Sequence, residues 1–152
     1  MKFTKSLEID CPREQIFDLT QDYGRRLEWD PFLSRANLLD GVLTPHVGAR
    51  ALCVDHHGFS MEVVYVAYKR PEVAAVKMTR GPFFLASFAG TWRFTETGDG
   101  RTSVLFEYFY RLAWPFAVLR RFVDATFARE ITERLEALDK FVKQRKLTPT
   151  PG

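Results

Sequence analysis

The stretch FFLASFAGTWRFT, residues 83–95, decides the fold. Ser87 and Arg93 mark the solvent-facing positions of a strand. Alternation along the strand then gives an inner face made of Phe84, Ala86, Phe88, Gly90, Trp92 and Phe94. Thirteen residues is well above the usual strand length of about five or six, and long strands coil in a twisted sheet. We therefore expect a curved sheet whose concave face is too large for one helix to fill.

The sequence on both sides of this stretch predicts an antiparallel meander. Between residues 34 and 113 the polar–apolar period is two, and turn-forming pairs with Gly or Pro interrupt it at regular intervals. These breaks and a first strand near the N-terminus predict seven strands: Lys2–Asp10, Ser34–Leu39, Ala49–Asp55, Ser60–Lys69, Val73–Arg80, Phe83–Thr95 and Thr102–Leu112. The connections are too short for parallel crossovers, which need a dozen or more residues.

Helices are predicted in the interval between the first two strands and at the end of the chain. A short helix covers Pro12–Thr20, and a second begins near Asp22 and must stop before Pro31. Pro115 opens a long amphipathic helix. Its apolar face consists of Phe116, Leu119, Val123, Phe127, Ile131, Leu135, Leu138 and Val142. Its opposite side carries charges, including Glu130 and Arg134 at a favourable four-residue spacing, and is expected to face water.

The stretch RRLEWDPFL, residues 25–33, ends the pair of short helices. Trp29 lies where the chain turns into the second strand, so we expect its ring to wedge against the sheet. Glu28 and Asp30 are expected to face water. A ligand contact is the alternative role for Trp29, and the structural wedge is favoured over it.

Bulk composition predicts one domain and excludes several classes of protein. With 152 residues, 46% of them hydrophobic, the chain can bury a single core, which we place at residues 1–145, with a frayed tail at 146–152. No apolar run is long enough to cross a bilayer and no signal peptide is recognisable, so a cytoplasmic protein is expected. Cys11 and Cys53 are expected to be free thiols. The net charge of +3 is dispersed and accompanies no nucleic-acid-binding motif.

Alternation in the other strands predicts more of the inner face. Its expected members are Ala51, Cys53, Met61, Val63, Tyr65, Val76, Met78, Phe106, Tyr108 and Tyr110. Tyrosine hydroxyls need a polar partner or water, so aromatic rings with polar tips suit an apolar pocket with a few orienting groups. The alternative is that these tyrosines reach solvent at the rim. The same alternation leaves Leu52 and Val54 on the outer face, where a homodimer contact would cover them.

The order of these elements, together with several short motifs, resembles the helix-grip superfamily of START, birch-pollen-allergen-like and polyketide cyclase/dehydrase-like proteins, often called SRPBCC. The matching pieces span nearly the whole chain: IDCPREQIF (9–17), RRLEWDPFL (25–33), HVGAR (46–50), KRPEV (69–73), GTWRF (90–94), GDGRTSV (98–104) and the terminal helix. The resemblance implies an α+β fold in which a seven-stranded curved sheet wraps around the long helix. It also implies a cavity beneath that helix for a lipid, sterol, polyketide or other apolar molecule.

Two functions follow as hypotheses. The first is binding of a small hydrophobic ligand; its expected contacts are Trp29, Met78, Phe88, Trp92 and Phe127 as walls and Tyr65, Tyr108 and Tyr110 as polar tips. The second is a polyketide cyclase or dehydrase acting on a ligand in the same cavity. For this enzyme no catalytic residue is assigned. Arg80 is the best charged candidate, because strand alternation places it on the same side as Met78. The same alternation points the other charged residues of the strands away from the cavity, namely Glu62, Arg93, Glu107 and Arg111.

Other candidate sites carry less support. His46, His56 and His57 lie in connections and predict no metal site, and the sequence indicates no cofactor. The stretch LAWPFAVLRRF, residues 112–122, places aromatic residues beside Arg120 and Arg121 and could meet anionic lipid. Ordinary helix packing is favoured for it, and no integral membrane contact is expected.

Overall fold

The computed structural model describes residues 2–98 and 100–147 and confirms the predicted architecture. A seven-stranded antiparallel sheet curls around a long C-terminal helix, in the strand order β1-β7-β6-β5-β4-β3-β2. The elements are β1 (Lys2–Ile9), α1 (Arg13–Gln21), α2 (Arg26–Trp29), β2 (Leu33–Leu38), β3 (Arg50–Asp55), β4 (Ser60–Lys69), β5 (Val73–Arg80), β6 (Leu85–Gly98), β7 (Arg101–Leu112), a 3-10 turn (Phe116–Leu119) and α3 (Arg120–Leu147). None of the helices in the described part of the chain is long and apolar enough to cross a membrane.

The sheet is a meander to which the first strand is added last. Strands β2 to β7 pair with their neighbours in sequence, and β1 pairs with β7 from Lys2 opposite Phe109 to Ile9 opposite Thr102. The two short helices therefore connect opposite edges of the sheet, from β1 to β2. This path carries them across one end of the concave face, next to α3.

One detail of the inner face was predicted wrongly. Ala86 is exposed and Leu85 is buried instead, because the pairing of β6 with β7 shifts register between Leu85 and Ser87. Such a bulge adds one residue to a strand and reverses its alternation beyond that point. Phe88, Gly90, Trp92 and Phe94 keep the expected face.

The core is solid at one end of α3 and open at the other. Ile131, Leu135, Leu138 and Val142 are 5% exposed or less, whereas Phe127, one turn earlier, is only partly buried. The solid end also contains the fully buried residues of β1, α1 and β7, namely Ile9, Ile16, Phe17 and Val104. The helix therefore fills only part of the space that the sheet encloses.

The start and end of the last helix differ from the prediction. Residues 116–119 form a 3-10 turn, which leaves Leu119 49% exposed although it was assigned to the buried face. The stretch 112–122 is not ordinary helix packing, since Trp114, Val118 and Phe122 are exposed. At the other end α3 continues to Leu147, past the predicted start of the tail at Lys146, and residues 148–152 lie outside the described part of the chain.

Two smaller predictions concern the cysteines and the outer face of the sheet. Cys11 and Cys53 are free thiols, as expected. Leu52 and Val54 are half-buried on the outer face rather than exposed. A second copy of the chain over that face stays a prediction.

The solid end of the core should carry most of the stability that α3 contributes. Leu135→Ala removes a side chain that is 1% exposed and should lower the free energy of unfolding by about 2–5 kcal/mol. Leu119→Ala, the matched control, should cost about 1 kcal/mol or less. Denaturant unfolding measures both. Leu119 lies in the 3-10 turn just before α3, so equal losses would contradict the contrast between the packed end of α3 and the open end where the helix begins.

Candidate functional site

A cavity of about 200 Å³ lies between the concave face of the sheet, α3 and the α2 region. Strands β6 and β7 contribute alternate residues to its wall, and α3 closes it from the other side. Nine of its lining residues are aromatic, and five of them form one cluster: Phe88, Trp92, Phe106, Tyr108 and Phe127. These rings meet edge to face at centroid distances of 3.9–5.9 Å, for example Trp92 on Phe106 and Phe88 on Phe127. Aromatic edge contacts of this kind make a rigid apolar wall.

The structure brings together five of the eight residues that the sequence proposed as ligand contacts. Lining the cavity are Tyr65, Phe88, Trp92, Tyr108 and Phe127. Tyr110 points inward but packs between Phe3 and Phe127, at ring distances of 6.1 Å and 4.7 Å. Trp29 lies behind the wall with its ring 6.1 Å from that of Trp92, and Met78 lies outside the cavity.

One end of the cavity holds a buried cluster of charges that the sequence did not predict. The carboxylate of Asp30 accepts hydrogen bonds from Nε of Arg26 at 2.8 Å and from Nε of Arg134 at 2.9 Å, both on Oδ2. Its other oxygen accepts the backbone N–H of Phe32 at 3.0 Å. Arg134 also donates to the hydroxyl of Tyr108. Arg26 and Arg134 line the cavity, so the cluster is one of its walls.

Asp30 and Arg134 were both expected to face water, and both expectations were wrong. Asp30 is 3% exposed and Arg134 is 6% exposed. Asp30 leaves the helix in an extended conformation before Pro31, which turns its carboxylate back toward Arg26. A charged residue can be buried when a partner satisfies it, and the second partner of Asp30 lies 104 residues later in the chain.

Aromatic rings hold the two guanidinium groups in place. The Arg26 guanidinium lies 4.9 Å from the ring of Trp29, and that of Arg134 lies 5.1 Å from the ring of Phe32. Planar guanidinium groups stack well on aromatic faces. Trp29 thus supports the site from behind, as a structural wedge that also positions an arginine.

The two positive charges of Arg26 and Arg134 exceed the single negative charge of Asp30. Burial alone would raise the pKa of Asp30, but Arg134 and Arg26 hold it at about 2, so Asp30 is ionised at neutral pH. Two guanidinium groups therefore share one carboxylate. Two further acids line the cavity, Asp55 and Glu130, and Glu130 lies one helical turn before Arg134. Burial raises the pKa of Glu130 above its ordinary value, and Arg134 only partly opposes this.

A series of hydrogen-bonded polar side chains also borders the cavity, and the donor and acceptor of each bond can be assigned. The Tyr65 hydroxyl donates to Oε1 of Gln21 at 2.7 Å and lies 3.1 Å from the Tyr23 hydroxyl, which therefore donates to it. Gln21 donates in turn to Thr20, whose hydroxyl donates to the carbonyl of Phe17. Burial raises the pKa of Tyr23 to about 12, so this hydroxyl keeps its proton at neutral pH. The oxygen of Tyr23 is then left as an acceptor.

Other candidates from the sequence lie away from the cavity. Arg80 is exposed and does not line it, because the register shift between β4 and β5 places Arg80 opposite Glu62 at the strand end. His46, His56 and His57 are all exposed in loops. Within residues 2–98 and 100–147, no group of three or more His, Cys, Asp and Glu side chains is placed to hold a metal ion.

Comparison with known proteins gives a family and a fold. The model of the family described as "Polyketide cyclase / dehydrase and lipid transport" matches residues 1–143. No curated protein sequence matches the chain significantly.

Several solved structures share the fold at low sequence identity. The Zhui aromatase/cyclase from a Streptomyces species superposes with a TM-score of 0.81 at 12% identity, over 95% of this chain and 94% of that one. A protein from Thermus thermophilus gives 0.79 at 16% identity, over 95% and 99%. A START superfamily protein from Mycobacterium smegmatis gives 0.77 at 12% identity, over 97% and 99%. At these identities the likeness shows the fold alone.

The buried carboxylate should be needed for folding in a pH-dependent way. Asp30→Asn leaves two buried guanidinium groups without a counter-ion and should lower the free energy of unfolding by about 3 kcal/mol or more at neutral pH. The pKa of about 2 in the folded chain lies below the ordinary value of 3.8. The stabilisation by Asp30 is therefore complete above about pH 4 and is lost as pH falls toward 2. The difference between variant and wild type should shrink over that window.

Glu28→Gln is the matched control for this measurement. Glu28 pairs with Arg25 on the surface, where both side chains are at least one-third exposed. Its loss should cost about 0.5 kcal/mol or less and show no such acid window. Denaturant unfolding between pH 2 and 8 compares the two variants. An Asp30→Asn variant as stable as Glu28→Gln would contradict the role given to the cluster.

Proposed function

The chain belongs to the polyketide cyclase/dehydrase and lipid transport family, and from this premise we propose that it binds a compact aromatic or polyketide-like molecule in the cavity beneath α3. Membership supports ligand binding or a cyclase role in general terms. The particular ligand class proposed here rests on the size, the walls and the charge of this cavity.

The size of the cavity favours a small ligand. Sites for drug-sized molecules usually enclose about 300–1,000 Å³. The cavity here encloses about 200 Å³, which suits one or two fused rings better than a sterol or a long acyl chain. Its aromatic walls can stack against or meet the edges of a planar ligand.

The charged end supplies the single observation that carries the proposal: two buried guanidinium groups share the one carboxylate of Asp30 at the cavity wall. An acidic or carbonyl oxygen on the ligand would provide a further acceptor for Arg134 or Arg26, and an acidic one would balance the second positive charge. The Tyr108 hydroxyl accepts from Arg134, which leaves its own proton for the same ligand oxygen. We therefore assign the oxygen-bearing end of the ligand to Arg26, Tyr108 and Arg134.

The apolar contacts follow from the same arrangement. Phe88, Trp92 and Phe127 are proposed as the walls that hold the ligand rings. Tyr65, which is hydrogen-bonded to Gln21 and Tyr23, is proposed as a polar contact. Trp29 and Met78 are not proposed as contacts. Trp29 acts through Arg26, on which its ring stacks.

A matched pair of ligands tests the charged end. Naphthoate and naphthamide have nearly the same size, but only naphthoate is an anion. We expect naphthoate to bind about tenfold more tightly by calorimetry, because a charge-assisted hydrogen bond is stronger than a neutral one. Arg134→Gln should remove this preference, whereas Arg129→Gln, an exposed arginine on the same helix, should keep it.

A second variant keeps this test informative if Arg134→Gln folds poorly. Tyr108→Phe removes one donor without removing a charge, and should weaken the binding of both ligands about fivefold. Equal affinity of the wild-type protein for naphthoate and naphthamide, at any strength, would refute the proposed orientation. If neither naphthoate nor naphthamide binds, the proposed ligand class is refuted.

A specific residue supports the enzyme as a second candidate function. Glu130 lines the cavity beside Arg134, and burial raises the pKa of its carboxyl. Cyclisation of a polyketone needs a base to remove a proton next to a carbonyl and a positive group to stabilise the enolate oxygen that forms. Glu130 would act as the base and Arg134 as the stabilising group. Neither was the candidate that the sequence suggested.

The enzyme candidate predicts a loss of turnover without a loss of fold. Glu130→Gln should lower the rate of cyclisation of a poly-ketone thioester about a hundredfold or more, because the base is removed. Since burial disfavours the ionised form of Glu130, the variant should be at least as stable as the wild type at neutral pH. Wild-type turnover should fall as pH drops through the raised pKa of Glu130.

The control for this experiment lies one turn further along the helix. Glu133 is exposed and faces Arg129, so Glu133→Gln should leave the rate unchanged. Product formation is followed by absorbance together with a thermal unfolding scan. A Glu130→Gln variant that turns over at the wild-type rate would remove Glu130 as the base.

A further inference from the structure

An apolar face lies exposed where β7 passes into the last helix. Trp114, Val118 and Phe122 are spaced by four residues and are 88%, 87% and 72% exposed. Phe83, in the connection from β5 to β6, is 71% exposed, and its ring lies 5.3 Å from that of Phe116. We call these four exposed side chains, with the segments that carry them, the aromatic face. Neighbouring large apolar side chains this exposed are typical of an interaction surface.

The aromatic face is also strongly positive. Its two segments, residues 80–87 and 109–123, carry Arg80, Arg111, Arg120 and Arg121 and contain no Asp or Glu. All four arginines are exposed, and Arg111 and Arg120 border one shallow depression. Arg120 also lies 4.0 Å from Asp124 at the border of the face. The whole chain has a net charge of only +3, so positive charge is concentrated here.

We propose that the aromatic face docks this protein onto the surface of an anionic lipid bilayer, with Trp114, Val118 and Phe122 entering the interfacial region and the surrounding arginines contacting headgroups. Tryptophan and arginine are suited to this region, because each combines an apolar body with a polar or charged end. The proposal requires no spanning segment, in agreement with the absence of a helix that could cross a membrane among the described residues.

The charges and shape of the face favour a bilayer over two other occupants. A second copy of this chain would bring two sets of like-charged arginines together, which opposes association. A folded acidic protein would need a separate pocket for each protruding side chain. A bilayer accepts such side chains individually, and its anionic headgroups match the arginines.

The position of the face relates it to the cavity without depending on any ligand. The ring of Phe83 lies 5.7 Å from that of Phe84, and Phe84 lines the cavity. Docking would therefore hold the Phe84 end of the cavity toward the lipid. Membrane binding can be present or absent whatever the cavity holds, so its test is separate from the ligand experiments above.

Vesicle binding followed by tryptophan fluorescence tests the proposal. The chain has three tryptophans, and Trp29 and Trp92 are 4% and 6% exposed, so a change on docking reports on Trp114. With vesicles of equal parts phosphatidylglycerol and phosphatidylcholine, we expect co-sedimentation and a blue shift of the emission. With phosphatidylcholine alone, the headgroup charge is missing, and in high salt it is screened. In both conditions we expect binding to be weaker by about tenfold or more.

Two pairs of substitutions separate the apolar and charged contributions. Val118→Ser with Phe122→Ser keeps Trp114 as the reporter and should weaken vesicle binding about tenfold or more. Arg120→Gln with Arg121→Gln should do the same and reduce the salt dependence. The matched controls are Leu43→Ala with Val47→Ala, which removes exposed apolar side chains elsewhere, and Arg101→Gln, and both should bind as the wild type does.

Each outcome decides for or against the bilayer. Weakening in both face variants, with unchanged controls and unchanged thermal unfolding, supports the proposal. Equal binding to both vesicle compositions, absence of binding, or equal losses in the control variants would overturn it. Binding to soluble polyglutamate but not to vesicles would replace the bilayer by an acidic protein.

Discussion

The carboxylate of Asp30 joins the two parts of the molecule that form the cavity. Asp30 follows directly after α2, and its carboxylate accepts hydrogen bonds from Arg26 on that helix and from Arg134 on α3. A buried charge is costly unless its partners are well placed, so this arrangement tolerates little displacement of α3 relative to α2. Arg134 also donates to the Tyr108 hydroxyl on β7. The same cluster therefore ties α3, which covers the cavity, to the sheet on the opposite side.

The position of this cluster along α3 separates the packed core from the cavity. On the C-terminal side of Arg134, the buried Leu135, Leu138 and Val142 pack against the sheet with aliphatic side chains. On its N-terminal side, Phe127 and Glu130 face the hollow. The cluster thus lies at the boundary between solid core and cavity, where a charged group can be satisfied by protein on one side and by a ligand on the other.

Local sequence patterns were sufficient for the sheet and the inward direction of Tyr65, Phe88, Trp92 and Tyr108. Strand period and turn residues are properties of neighbours in sequence, and they survive in the fold. Asp30 and Arg134 were missed because charge alone suggested solvent, and their pairing across 104 residues has no local signal. The four-residue spacing of Arg26 and Asp30 was the one clue available, since it permits a pair within a helical turn.

The arrangement suggests how one fold can serve different ligands without rebuilding its core. The ring-lined walls come from alternation in β6 and β7, which the sheet imposes on any sequence that forms it. The polar end depends on very few side chains. They are Arg26 of α2, Asp30 directly after it, Tyr108 of β7, and Glu130 and Arg134 of α3. Changing Arg134, Tyr108 or Glu130 would alter which ligand oxygen is accepted, or whether a proton is moved, while the packed half of α3 keeps its contacts. Under the proposed function, the aromatic walls would admit planar rings of suitable size and the small charged cluster would select among them by their oxygen groups.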